Sequence, residues 1–203
     1  MARRLGYRFV DTGMMYRAVA WLALQRGLDL HDEQALGKLA EGVSMRVELG
    51  SPDAPEASRV FVDGIDATEH LRTTEVGEAV SLVSRVPAVR TAMVAIQREL
   101  ARQGGVVMVG RDIGTVVLPD AGLKVYLDAS SEERVRRRHE ELRAIGRTET
   151  VDDVRAELAL RDEIDSQRAT SPLHPAEDAL VLDTDQLSLD AVVDRIMEAL
   201  GCS

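Results

Sequence analysis

The chain has 203 residues, of which 45% are apolar, and it carries a formal net charge of −10. The apolar fraction is enough for one sizeable core and argues against disorder, and the negative charge argues against a protein that binds nucleic-acid polymers through a basic face. Because the sequence contains no apolar run long enough to span a bilayer and no signal-peptide pattern, we expect no membrane partner and a cytoplasmic location. The single cysteine, Cys202, can form no internal disulfide, which is typical of a reducing compartment.

Predicted strands and helices alternate along the chain. Residues 1–5 resemble the last turn of a helix that ends at Gly6. Short apolar runs predict buried parallel strands, and the segments between them have helical patterns. The predicted strands are Arg8–Asp11, Val106–Val109, Leu123–Asp128 and Ala179–Asp183, and the predicted helices are Gly13–Gln25, Thr74–Ser84, Pro87–Gln103, Ser131–Ile145, Asp152–Ser166 and Ser188–Leu200. This alternation predicts an α/β fold with a parallel sheet.

Residues 44–71 interrupt the alternation. The stretches "SMRVELG" and "SRVFVDG" alternate apolar with polar residues, and they flank a loop that contains Pro52 and Pro55. Such alternation is typical of antiparallel strands with one solvated face. We therefore expect a small antiparallel β insertion in the main domain.

Polar residues follow three predicted strands directly, where ligands bind in parallel α/β sheets. These stretches are "DTGMMYR", "GRDIGTVV" and "DASSEERVRRR". Each has a structural alternative. Thr12 could cap a helix, "GRD" could be an ordinary turn, and the arginine run could form a solvated helix face with nearby glutamates.

A fourth stretch, "RDEIDSQRATSPL", places Arg161, Asp165 and Arg168 on one helix face, and an ion-paired surface is the alternative. Taken together, the four stretches are rich in arginine and sparing in carboxylate. Guanidinium groups bind phosphate with a rigid fork, and carboxylates bind hydroxyls, so the combination favours a phosphorylated sugar as ligand. The four scattered histidines form no metal-ligand pattern.

The order of the motifs "DTGMMYR", "GRDIGTVV", "YLDASSEERVRRR" and "RDEIDSQRATSPL" resembles the bacterial cytidylate kinases over essentially the whole chain. The resemblance implies a P-loop nucleoside-monophosphate kinase fold. Residues 1–43 and 72–203 would form the core, residues 44–71 the nucleotide-monophosphate-binding insertion, and residues 131–152 the lid region. It also implies a monomeric enzyme that transfers the γ-phosphoryl group of ATP, with Mg²⁺, to CMP or dCMP, giving CDP or dCDP.

The resemblance further implies roles for individual residues. Those expected to read cytosine are Ser81, Arg90 and Asp112. Those expected to hold the acceptor phosphate are Arg17, Arg111 and Arg161, while Asp165 and Arg168 lie near the sugar and Thr12 and Tyr16 line the same pocket. The lid arginines Arg137 and Arg138, together with Arg161, are the expected catalytic residues.

Members of this family begin with a strand and a glycine-rich phosphate loop, whereas these 203 residues contain no G-x-x-x-x-G-K-[S/T] pattern. We therefore expect the first strand and the P-loop to be missing, through either a mis-chosen start or a real truncation. Two functions stay open: a cytidylate kinase whose activity in this chain is in doubt, and a noncatalytic CMP-binding remnant. The insertion and the expected cytosine-reading residues disfavour a shikimate or adenylate kinase.

Overall fold

The structure, a computed structural model, describes residues 1–51, 53–54, 58–144, 146–166 and 174–201. It consists of two compact units, an N-terminal unit, Met1–Leu118, and a C-terminal unit, Pro119–Ser203. Both contain parallel strands joined through helices, as an α/β fold requires. The three-part division into core, insertion and lid stays a prediction.

In the N-terminal unit, two parallel strands lie side by side in register, from Arg8 opposite Val106 to Asp11 opposite Val109. These are β1 (Arg8–Asp11) and, later in the chain, β5 (Val106–Val109). The helices of this unit are α1 (Ala2–Leu5), α2 (Gly13–Gln25), α3 (Glu33–Gly42), α4 (Thr74–Ser84) and α5 (Pro87–Ala101). Helix α1 ends at Gly6 in a left-handed conformation, with φ 64°, as predicted.

An antiparallel sheet of three strands lies between α3 and α4, and the predicted insertion is therefore confirmed as β structure. Its strands are β2 (Met45–Glu48), β3 (Arg59–Val62) and β4 (Ile65–Asp66), and a 3₁₀ helix follows at Thr68–Arg72. Alternation sends Val60 and Val62 inward, where both are fully buried. Each such side chain contributes about 1.5–3 kcal/mol by leaving water.

Helix α2 is the centre of the core of this unit. It packs against α4 and against strand β3. Met15, Ala18 and Val19 are fully buried, so this helix is apolar on most of its surface. Its N-terminus follows β1 directly, and the core thereby fixes the residues at that junction.

The C-terminal unit contains a second parallel pair, with Val125 opposite Leu180 and Asp128 opposite Asp183. Its elements are β6 (Val125–Asp128), α6 (Ser131–Ala144), α7 (Val151–Ser166), β7 (Leu180–Asp183) and α8 (Leu189–Ala199). Helices α6 and α7 pack together through a small apolar cluster of Val135, Leu142 and Val154, with Leu158 beside it.

The predicted helices and strands are confirmed with shifts of one or two residues at several ends. The structure adds helix α3, which the sequence reading missed. It also adds a π turn at Ile113–Val117, where "GRDIGTVV" had suggested only a tight turn. The predicted loop prolines, the last residue of the predicted helix 131–145, Arg168 and Cys202 lie outside the described residues.

Among the described residues, no single helix is long and apolar enough to cross a membrane. The pair Thr74–Ser84 and Pro87–Ala101 meets the length and composition criteria only when joined across a 101° bend.

Candidate functional site

The carboxyl ends of β1 and β5 lie next to each other, and Thr12 joins them. Both its backbone N–H and its hydroxyl donate to the carbonyl of Val109, at 3.1 Å and 2.9 Å. The Thr12 side chain does not cap α2. Its hydroxyl therefore holds the two strand ends together, a role that the sequence reading did not include.

Gly110, the residue after β5, lies against this junction. A Cβ at this position would clash with the Thr12 hydroxyl and would come within 2.7 Å of the Ile113 side chain. The chain can pass here only because the residue has no side chain. The close passage brings Arg111 and Asp112 next to the amino end of α2.

A buried ion pair forms the centre of the site. Arg90, on α5, donates from Nη2 to the Asp112 carboxylate, and it donates from Nη1 to the backbone carbonyl of Ser84 at 3.2 Å. The guanidinium carbon of Arg90 also lies 5.5 Å from the centroid of the Tyr16 ring, within cation–π range. The sequence reading placed Tyr16, Arg90 and Asp112 in one pocket, and the structure brings them into contact.

Two of the five N–H groups of the Arg90 guanidinium are used in these bonds. Its Nε is buried and, among the described residues, has no hydrogen-bond partner. A buried, unpaired N–H of a cation costs free energy unless a ligand or water accepts from it. The site therefore favours a ligand with a hydrogen-bond acceptor at this point.

The other predicted residues of the N-terminal unit lie around this pair. Ser81 is half-buried on α4, one turn before Ser84, whose hydroxyl donates to the Ser81 carbonyl at 3.4 Å. Arg17 lies one turn into α2, and its Nη1 is 3.8 Å from the carboxylate of Asp11. Arg111, also half-buried, stands between Gly110 and Asp112. Asp11 begins the stretch "DTGMMYR" but had no assigned role; its carboxylate accepts from the Gly13 N–H at 2.9 Å and fixes the start of α2.

In the C-terminal unit, Arg137 is held at the carboxyl ends of β6 and β7. Its Nη1 and Nη2 donate to the hydroxyl and the carbonyl of Thr184, at 2.9 Å and 2.6 Å. The Thr184 hydroxyl in turn donates to the carbonyl of Asp128 at 2.9 Å. Arg137 also donates from Nε to Glu133 at 2.7 Å. Sequence reasoning missed Thr184, because a single threonine after a strand carries no distinctive signal.

Glu133 accepts from two neighbouring arginines on α6. Hydrogen bonds from Arg136 and then from Arg137 lower the pKa of its carboxyl from 4.5 to about 2. Arg136 also pairs with Glu140, and Arg138 pairs with Glu141 at 3.3 Å. The ion-paired helix face, which the sequence reading gave as the alternative, is therefore present alongside any role of these arginines in ligand binding.

Helix α7 carries Arg161, which is half-buried, and Asp165 near its end. It is joined to α6 by ion pairs of Arg134 with Asp162 at 2.6 Å and of Arg155 with Glu132 at 3.2 Å. Whether Arg161 acts on the same ligand group as Arg17 and Arg111 stays a prediction. Among the described residues, no three histidine, cysteine, aspartate or glutamate side chains gather into a metal-binding cluster.

Known proteins resemble this chain over nearly its whole length. The chain matches the family described as cytidylate kinase over residues 1–201. It is 51% identical over 201 residues to a cytidylate kinase of Geobacillus sp. (strain WCH70), a match that covers 99% of this chain and 88% of the relative. The corresponding protein of Geobacillus kaustophilus (strain HTA426) is 50% identical with the same coverage. That of Desulfitobacterium hafniense (strain Y51) is 48% identical over 197 residues, which are 97% of this chain and 83% of the relative. The match to the family model and identity of this degree over nearly the whole sequence show that the chain belongs to the cytidylate kinase family.

Proposed function

We propose that this chain binds CMP or dCMP and serves in the transfer of the γ-phosphoryl group of ATP to it, giving CDP or dCDP. Membership of the cytidylate kinase family supports the reaction class. The observation that carries the choice of acceptor is the buried pair of Arg90 and Asp112, with the Arg90 Nε left for a ligand.

Cytosine has the hydrogen-bonding groups that this pair requires. Asp112 uses Oδ2 for Arg90, so Oδ1 and the Ser81 hydroxyl can accept from the exocyclic amine. Arg90 can donate to the ring nitrogen and carbonyl oxygen. Uracil presents a carbonyl in place of the amine and an N–H in place of the ring acceptor, so it would leave buried groups unpaired. A site of this kind discriminates strongly against the wrong base.

The match to the family assigns the acceptor phosphate to Arg17, Arg111 and Arg161, and guanidinium forks suit this role because they bind phosphate oxygens in pairs. Arg17 suits this role, since its side chain is 29% exposed near the start of α2 and, within the described part of the chain, is engaged only in a long ion pair with Asp11. Thr12 and Tyr16 border the same pocket. Asp165 and Arg168 are assigned to the sugar by their match to the family.

The donor side is assigned to Arg137 and Arg138, which with Arg161 neutralise charge on the transferred group. Phosphoryl transfer depends mainly on positioning and electrostatic stabilisation, so preset guanidinium groups suit the reaction. Arg137 is preset by Thr184 and Glu133. The described residues offer no dedicated magnesium cage. Mg²⁺ enters with the phosphates of ATP, as it commonly does in kinases.

We propose further that the phosphate loop of the family is not contributed by these 203 residues. The sequence contains no such motif. Apolar strand residues also face solvent: Val109 is 50% exposed, Leu127 56% and Val181 53%. Strands of a parallel sheet are normally covered on both faces and paired at their edges, so these strands favour pairing with a further segment. A monomeric state and a cytoplasmic location also stay predictions.

A coupled assay with ATP, Mg²⁺ and CMP tests the proposal on two proteins: the 203-residue chain, and a chain that carries an additional N-terminal strand and glycine-rich loop. We expect the longer protein to convert CMP and dCMP to their diphosphates and to convert UMP far more slowly, and the 203-residue chain to show negligible turnover. A longer protein that folds but does not phosphorylate CMP would contradict the proposed reaction. Robust turnover by the 203-residue chain alone would contradict the proposed need for the loop.

A further inference from the structure

Helix α5 holds both ends of the π turn that follows Asp112. At the start of the turn, Arg90 bonds the Asp112 carboxylate. At its end, Arg98 donates from Nε to the carbonyl of Val117 at 3.0 Å and from Nη2 to the carbonyl of Val116 at 2.7 Å. Arg90 and Arg98 are eight residues apart, about 12 Å along the helix axis. One helix therefore fixes the turn at two separated points.

The end of the turn is connected back to Asp112 through the backbone. The N–H groups of Val116 and Val117 both donate to the Asp112 carbonyl, at 2.9 Å and 3.2 Å. Hydrogen bonds thus run from Arg98 to these two valines, from the valines to Asp112, and from Asp112 to Arg90. Because both arginines belong to α5, these hydrogen bonds and the helix together form a closed ring.

A π turn needs such support from outside. The last carbonyls of any helical turn have no partner within it, and π segments are uncommon and occur mostly at functional sites. Asp112 has φ −125° and ψ 24°, between the helical and extended regions, so local preference does not fix its backbone. The planar fork of Arg98 bonds two successive carbonyls at once, which a single donor cannot do.

We propose that Arg98 is a positioning residue that determines base specificity: by holding the π turn, it orients the Asp112 carboxylate toward the base. The inference rests on the proposed function, in which Asp112 reads cytosine. Arg98 itself is solvent-exposed, and its bonds are to backbone carbonyls, so it acts only through the turn.

Calorimetric titrations of CMP, cytidine and UMP into Arg98→Met and Arg98→Lys test this role in the 203-residue protein. Methionine keeps much of the apolar stem but removes the fork. We expect Arg98→Met to lower the affinities for CMP and for cytidine alike, on the order of tenfold, and to reduce the preference for CMP over UMP. Lysine can bond one carbonyl at a time and should restore part of the preference.

Arg102→Met is the matched control on the same helix. The Arg102 side chain is 74% exposed and pairs with Glu99. We expect this variant to keep wild-type affinity and preference. A lower melting temperature of Arg98→Met, with a CMP-to-UMP affinity ratio within twofold of that of Arg102→Met, would overturn the inference. The Arg98 fork would then only stabilise the fold.

The variant Asp112→Asn tests the proposed function, on which the inference about Arg98 rests, separately from that inference. If Asp112→Asn alone leaves the CMP-to-UMP ratio unchanged, the proposed function is wrong. If Asp112→Asn abolishes the preference for CMP, Arg98→Lys should change the CMP-to-UMP affinity ratio when it is made in the wild-type protein. It should have no further effect on that ratio when it is added to Asp112→Asn, because the two residues act as one unit. Equal effects of Arg98→Lys in both backgrounds would overturn the inference, and this cycle remains informative if Arg98→Met fails to fold.

Discussion

The Arg90 guanidinium and the Asp112 carboxylate are bonded to each other with side chains only 5% and 7% exposed. Removing one partner leaves a buried charge, whereas replacing both by apolar residues does not. We therefore expect Asp112→Ala to lower the free energy of unfolding by about 3–5 kcal/mol. The double variant Arg90→Met, Asp112→Leu should recover most of this loss in denaturant titrations.

The same variants separate stability from recognition. The double variant should not bind CMP measurably by calorimetry, because neither the donor nor the acceptor for cytosine is left. If it bound CMP like the wild type, the pair would be a structural feature without a role in the site.

Arg17 and Arg111 are expected to act on the phosphate and not on the base. Replacing either by lysine keeps the charge but removes the fork, so the affinity for CMP should fall by about three- to tenfold, while cytidine binding stays nearly unchanged. Titrations of both ligands give the comparison. Equal weakening of CMP and cytidine would exclude a phosphate-specific role.

Gly110→Ala tests the close passage between β5 and α2. The added methyl group would clash with the Thr12 hydroxyl and the Ile113 side chain, and we expect it to cost about 1–3 kcal/mol of stability and to weaken CMP binding. Gly122→Ala is the control, since a Cβ there meets nothing within 4 Å. Similar melting temperatures for the two variants would show that the junction adapts without strain.

Sequence patterns predicted the elements around the site because their ends carry local signals. Strand β1 is a short run that ends at Asp11, just before Thr12, and α4 and α5 begin at Thr74 and Pro87 as expected. Helix α3 was missed although the Asp32 carboxylate caps it, accepting from the Ala35 N–H at 2.9 Å. Its interior Gly37 suggests a break, but a Cβ there would come within 2.9 Å of the Ala88 side chain on α5. That glycine permits close helix packing, which no local pattern reveals.

In the candidate site, too, the sequence predicted some residues and missed those whose contacts depend on the folded backbone. The resemblance assigned Arg90 and Asp112, 22 residues apart, to reading the base, and in the structure their side chains are bonded to each other, while the base-reading role stays a prediction. It gave no indication of Arg98 or Thr184, because their bonds go largely to backbone carbonyls. Which backbone carbonyls need a hydrogen-bond partner depends on the turn that the folded chain adopts. The residue types alone do not predict that turn.

Helices α6 and α7 are expected to open as one hairpin in the absence of ATP. Their shared apolar cluster is small, and the two helices are joined by exposed ion pairs, which contribute little stability. Amide hydrogen exchange in residues 134–144 and 146–150 should be much faster than in β5 (Val106–Val109) and should slow when ATP is added. Exchange as slow as in β5 without ligand would contradict a gating role.

The most direct test of the central claim is the ratio of CMP to UMP affinity, measured by calorimetry on the wild-type protein and on Asp112→Asn. If Arg90 and Asp112 read cytosine, the wild type should prefer CMP by at least about tenfold, since each mispaired buried group costs about 1–3 kcal/mol. Asp112→Asn should bring the two affinities close together. Equal affinities for CMP and UMP in the wild type, or a preference that survives in Asp112→Asn, would contradict the account.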